Sequence, residues 1–442
     1  MRLLAAGTVV LLAAPLVAQQ DANALRLRIA ALENELALAR AELAAQSAEH
    51  PTATGPPAEV SATSKRPEPT LESPPEDDRI RFGDFSVGGA MRVNWTLGDY
   101  ETGARGPSRG GHGGDVSLDT FRLNLDYARG PWVGKAEYRW YPGTKFFHTL
   151  EFGYTWSEVD TVRAGLTRVP FGVGPYGPAN SWFFDQHYYV GLADDMDIGI
   201  THTAIRGDWT LDMGLFVTSP PNARGDSTAG ARYSFDLVDA AGDPAYFGNR
   251  TPTRYAERGQ LNLRIVRTFR ELPAPTELGL SLQYGRLVGR GDFDDARPWA
   301  GSLHTRSTLG PWTLMLQATR YDYDSEEDHI TGGFYDYTTD IASRGTLLSA
   351  ALSYTWDAPV AWLDAITFYN DFSVIRKHTA GFHSSSLNVL GAAFSRGGWY
   401  IYADWARSDG NEFVGDFRPG MWADNADRTW QTRYNLNLGY YF

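Results

Sequence analysis

From about residue 80 onward, apolar and polar side chains alternate, and this period of two constrains the fold more than any other feature. In "FSVGGAMRVNW", Phe85, Val87, Met91, Val93 and Trp95 share one face, while Ser86, Arg92 and Asn94 share the other. The pattern recurs at 121–127, 132–140, 150–156, 160–168, 197–206, 209–217, 258–269, 276–288, 299–309, 312–323, 345–356, 364–375, 385–395, 398–407 and 431–442, which makes 16 runs. Each is about ten residues long, the length of a membrane-crossing strand.

The breaks between runs are of two kinds. Short ones fall at 128–131, 157–159, 207–208, 270–275, 310–311, 357–363 and 396–397. Long ones fall at 97–115, 141–146, 169–196, 218–257, 289–298, 324–344, 376–384 and 408–430. One rim of turns and one rim of loops, with apolar residues on one face and charges on the other, predict an all-β, 16-stranded antiparallel transmembrane β-barrel. The competing fold is a soluble sandwich, which would bury the apolar face between two sheets. Four short breaks share a glycine, one residue and a tryptophan: "RGPWV", "RGDWT", "LGPWT" and "RGGWY". Glycine suits the reversal, and Trp132, Trp209, Trp312 and Trp399 then start strands at the depth an indole prefers. The final "RYNLNLGYYF" ends in an aromatic residue, as bacterial outer-membrane proteins do.

The residues before 80 follow other rules. "MRLLAAGTVVLLAAPLVA" has one Arg, a short apolar core and a small-residue end, and residues 1–18 are expected to be a secretory signal peptide. An uncleaved anchor would need roughly 20 apolar residues. In 21–49, Leu25, Ile29, Leu32, Leu36, Ala39 and Leu43 trace a heptad seam. The expectation is a short periplasmic coiled coil, dimeric or trimeric; a lone amphipathic helix is the alternative. Residues 50–79 are rich in Pro, Ser, Thr and Glu and read as a flexible linker, leaving 80–442 as an outer-membrane barrel.

Composition limits the chemistry. With no Cys, the chain has neither disulfides nor thiolate catalysis, and a net charge of −13 without a basic stripe speaks against nucleic acid as a partner. His187, His202, His304 and Asp371 form no catalytic spacing, and no Gly-x-Ser-x-Gly, cofactor motif or metal-ligand spacing is evident. "RGGHGGD" at 109–115 lacks the ending of a phosphate loop, and the acidic "DYDSEED" at 322–328 lacks the glycine of a calcium loop. The acidic stretch reads as a solvated face meeting lipopolysaccharide through divalent ions.

The signal peptide, the heptad segment, the 16 runs, "AGLTRVPFG" before the third long break, "FYNDFS" at 368–373 and the closing "YYF" together resemble the phosphate-selective porin O and P family and its porin-like relatives. That resemblance implies a homotrimeric channel whose third loop folds into the lumen. By phase, the lumen receives Arg92, Arg122, Lys135, Arg139, Arg163, Arg264, Arg306 and Arg433. Against these stand Asp126, Glu137, Glu151, Asp212, Glu277, Asp371 and Asp404, so the balance is nearly even. The aromatic break 169–196 is expected to constrict the lumen, with Asp185, His187, Asp194, Asp195 and Asp197 in it and its acids facing the basic wall. An external lid is the alternative placement. The expected function is a porin, not an enzyme: a bacterial outer-membrane diffusion channel passing small hydrophilic solutes or anions, with at most mild anion or phosphate preference. A barrel enzyme and a receptor-like or structural barrel with a closed lumen are the other readings.

Overall fold

The computed structural model describes residues 79–100, 114–157, 159–221, 224–225, 230–238, 253–335, 337–357, 360, 362–415, 420–426 and 428–442. The expected signal peptide, coiled coil and most of the linker lie outside the described residues.

Sixteen antiparallel strands form one closed sheet. In chain order they are β1 Phe85–Gly98, β2 Asp115–Arg129, β3 Trp132–Tyr141, β4 Thr144–Ser157, β5 Asp160–Arg168, β6 Met196–Arg206, β7 Trp209–Thr218 and β8 Tyr255–Phe269. They continue as β9 Thr276–Gly289, β10 Trp299–Leu309, β11 Trp312–Asp322, β12 Arg344–Asp357, β13 Ala365–Lys377, β14 Ser385–Arg396, β15 Trp399–Asp409 and β16 Gln431–Tyr441. Each strand pairs with its chain neighbours, and β1 pairs with β16 from Ala90↔Tyr441 to Gly98↔Arg433, so the sheet has no free edge. A short strand, Ile80–Phe82, folds back on the start of β1.

Alternation decides which face looks where. Leu150, Phe152, Tyr154 and Trp156 are 38–52% exposed on the outside of β4, and Leu278, Leu280, Leu282 and Tyr284 are 39–53% exposed on β9. Inside, Asn94, Thr96, Arg122, Asn124, Glu137, Asn435 and Asn437 are buried. Apolar outside and polar inside is the reverse of a water-soluble barrel or sandwich, and suits a lipid surround.

The Gly-x-Trp breaks are tight turns. Gly130, Gly207, Gly310 and Gly397 have φ of 55°, 59°, 57° and 52°, a left-handed conformation costly for other residues. Each is followed two residues later by Trp132, Trp209, Trp312 or Trp399, all 45–50% exposed at one rim.

Two boundaries differ from the alternation. The expected loop 141–146 is a two-residue turn between Tyr141 and Thr144, and β2 begins at Asp115 rather than at 121. Both discrepancies have the same cause, a β-bulge. In β2, Asp119 and Thr120 both point inward, and in β4 His148 and Thr149 do, so the period-two phase breaks and the outer half of each strand reads as loop.

The longer connections fold inward as well. Arg232–Asp236, His329–Tyr335 and Tyr337–Ala342 make a separate three-stranded antiparallel sheet whose described residues are almost all buried. Its Phe334 packs on Tyr188, Tyr189, Phe413 and Trp422, joining segments of three connections in one aromatic cluster.

Candidate functional site

The connection 169–195 between β5 and β6 is bonded to inward-facing side chains of strands on opposite sides of the barrel. Gly172 N donates to Ser281 Oγ on β9 at 3.0 Å, and Val173 N to Gln317 Oε1 on β11 at 3.0 Å. Asn180 N, Asn180 Nδ2 and Ser181 N donate to Asp371 on β13 at 2.7, 2.8 and 2.8 Å. Gln186 N meets Ser373 at 3.1 Å, and Trp182 Nε1 donates to Asp119 on β2 at 3.2 Å. Such a spread of anchors requires the segment to cross the barrel interior. Its backbone groups, which would be orphaned on leaving water, find wall partners.

Within the segment, Asp185 accepts from Ser349 Oγ at 2.6 Å and lies 2.5 Å from His187 Nδ1, while His187 Nε2 meets Thr319 Oγ1 at 2.8 Å. An Asp, a His and a hydroxyl in line have the composition of a hydrolytic triad. Here all three are at most 1% exposed, and Thr319 donates onward to Ser302 Oγ at 2.8 Å. The constellation is a tether between segment and wall.

The basic residues divide into two groups. Arg92 pairs with Asp119 at 2.8 Å, and Arg122 and Arg139 flank Glu137 at 3.7 and 2.5 Å, all of them near the crossing segment. Arg139 stacks over Tyr233 at 4.7 Å, and Arg433 lies 5.1 Å from the rings of both Trp182 and Phe183. Arg264 holds Gly172 O and Asp212, each at 2.8 Å. Arg163, 3.3 Å from Glu151, stands on β5 apart from that group, as do Lys135 on β3 and Arg306 on β10, register partners of Asp126 and Glu277.

The acids of the segment do not form one row facing this wall. Asp194 does meet a cation, Arg168 at 2.8 Å, and lies 3.4 Å from His148 Nε2. Asp185 serves the tether. Asp195 and Asp197, the latter already on β6, face Asp236 rather than the wall arginines, because the connection carrying Asp236 folds back over them. The acidic stretch 322–328 bonds to a neighbouring loop, Asp324 accepting from Arg297 N at 2.9 Å and Glu326 from Asp294 N at 3.0 Å.

Asp119 and His148 escaped the sequence reading. The signal is the consecutive polar pairs Asp119-Thr120 and His148-Thr149 inside otherwise alternating frames, since a bulge re-aims one side chain toward the lumen. A cavity of about 30 Å³, roughly one or two waters, remains among Arg92, Asp119, Arg139, Trp182, Tyr188 and Tyr402. Burial pushes the hydroxyls of Tyr188 and Tyr233 well above the ordinary phenol range, so both remain neutral.

A closed 16-stranded barrel with an inward-folded connection after its fifth strand defines the porin class of fold. Among solved structures, the outer membrane channel DcaP of Acinetobacter baumannii aligns with 10% identity over 81% of this chain and 97% of that one, at a TM-score of 0.50. An anion-selective porin from Comamonas acidovorans aligns at 12% identity over 81% and 99%, at 0.49. OmpT of Vibrio cholerae aligns at 12% over 83% and 100%, at 0.48. At such identities the likeness is one of fold. No family model matches the sequence, and no curated protein matches it.

Proposed function

We propose that this chain is a bacterial outer-membrane diffusion channel for small hydrophilic solutes, with segment 169–195 as its constriction. The carrying observation is the set of bonds from that segment to Ser281, Gln317, Thr319, Ser349, Asp371 and Ser373 on the inner wall. A polar path bounded by arginine and carboxylate pairs suits ions and small polar molecules. Because Arg92, Arg122, Arg139, Arg163 and Arg264 stand beside acids, the passage has at most a mild preference for anions such as phosphate. The resemblance to the phosphate-selective porin O and P family extends the proposal to a homotrimer, with 21–49 as a periplasmic coiled coil, in contact with lipid and lipopolysaccharide. The channel performs no covalent chemistry.

A second reading has its own support. Tyr188, Tyr189, Phe334, Phe413 and Trp422 pack ring on ring, and the cavity beside them is small, which favours a barrel with a closed lumen. Reconstitution into a planar bilayer separates the two. A diffusion channel gives stepwise current at constant voltage; a silent bilayer with folded protein incorporated selects the closed barrel.

A further inference from the structure

We propose that Asp195, Asp197 and Asp236 form a calcium site that clamps the crossing segment to the three-stranded sheet. One carboxylate oxygen from each lies within 4.8 Å of the others. That is about twice a calcium–oxygen distance of ~2.4 Å, the widest separation two ligands of one ion can have. The three residues come from distinct places: the end of segment 169–195, the second residue of β6, and the inner sheet strand Arg232–Asp236.

A second observation points at the ion. Asp197 is fully buried, and neither of its carboxylate oxygens meets an N–H or hydroxyl donor; the group within hydrogen-bonding reach is Glu257, another acid. Leaving a buried charge without a partner is among the costliest arrangements a fold can hold. Around it, Glu257 stands against Asp197 with its Oε1 likewise lacking a donor. Ser234 Oγ lies 3.3 Å from Asp195 and 3.5 Å from Asp236, a further oxygen beside the triad. On the cationic side, buried Arg232 is next to Asp236 and Asp197, and Arg258 adjoins Glu257 while exposed. Asp194 is already matched by Arg168. Four clustered carboxylates against one buried guanidinium, among the described residues, leave a deficit that a dication fills. An all-oxygen donor set selects a hard cation, and irregular geometry on loop segments suits calcium better than magnesium.

Burial and the neighbouring acids raise the Asp195 and Asp236 carboxyls above their ordinary range, so without an ion the cluster would have to take up protons. The test is therefore made with the full chain refolded in detergent near neutral pH. Its unfolding temperature is measured in chelator and in increasing calcium, and terbium emission is excited through nearby tyrosines such as Tyr233 and Tyr323. Expected are a melting temperature that climbs with the logarithm of calcium concentration and terbium emission displaced by calcium. Asp236→Asn should bind terbium about tenfold more weakly or worse. In chelator, where the substitution relieves repulsion, it should melt at or above the parent, and in calcium below it. Equal melting of the parent in chelator and calcium, without terbium emission, would overturn the site and assign the cluster to shared protons. If Asp236→Asn does not refold, Asp197→Asn and the parent's own calcium response decide the matter.

Discussion

Asp371 shows what a single side chain does here. Its carboxylate receives three N–H donors from Asn180 and Ser181, and hydrogen bonds to a charged acceptor contribute about 1.5–3 kcal/mol each. Asp371→Leu should free the middle of the crossing segment, raising the undocked population at least about tenfold, since 1.4 kcal/mol is one decade. The expected result is larger and noisier single-channel current from a barrel that still resists heat in detergent; unchanged current would remove Asp371 from the constriction. The buried acids give a pH prediction of definite sign. Asp195 and Asp236 have folded-state carboxyls raised above the unfolded value, chiefly by burial. Their contribution to stability is complete below the unfolded value, about 4, and is lost as pH rises through the raised one. Chelated protein should thus lose melting temperature as pH climbs above about 4, and Asp195→Asn should flatten the slope. The sequence named Asp371, Asp195 and Asp197, but not their joining by Asp236, which lies on another connection and meets them only when the two fold together.

At the scale of elements, the strands were legible where one physical rule acted alone. In β9, β10 and β11 the outer face is apolar and the inner face polar, so alternation gives the bounds within about one residue. In β2 and β4 a bulge spends one residue without advancing the phase, and the pattern loses half a strand. The inner three-stranded sheet was illegible for a different reason: buried on all sides, its short strands lack the contrast between faces that periodicity detects. The turns yield a topological prediction. Gly310 sits in a two-residue turn at the rim of short connections, and Gly381 in the loop 378–384 at the other rim, each with open space around it. An epitope inserted after Gly381 should be labelled on intact cells and one after Gly310 only after the outer membrane is breached; the converse pattern would invert the barrel.

For the molecule as a whole, charge pairing would set the selectivity of the proposed channel. Since most lumenal arginines stand beside carboxylates, the reversal potential across a salt gradient should lie close to that of an unselective pore, displaced slightly toward anions. Neutralising Arg122 and Arg139 together leaves Glu137 uncompensated and should move the potential toward cations, by an amount that shrinks as salt shortens the screening length. The coiled coil proposed for 21–49 gives a separable prediction. Ile29→Asp with Leu36→Asp should abolish association of 21–49 while leaving single-pore current and barrel insertion intact, because strand closure holds the barrel; failure to insert would make that segment part of barrel assembly.

The pairing of β1 with β16 carries a cost in time. Asn437 Nδ2 donates to Asn94 Oδ1 at 2.6 Å across 343 positions of sequence, so the first strand has no closing partner until the sixteenth arrives. Contacts of such separation form slowly. Through that wait an unfinished sheet exposes two strand edges, each able to recruit another chain. Folding of this protein therefore creates a window of vulnerability whose length is set by the distance between two asparagines, and survival through it falls to whatever shields both edges until the ring shuts.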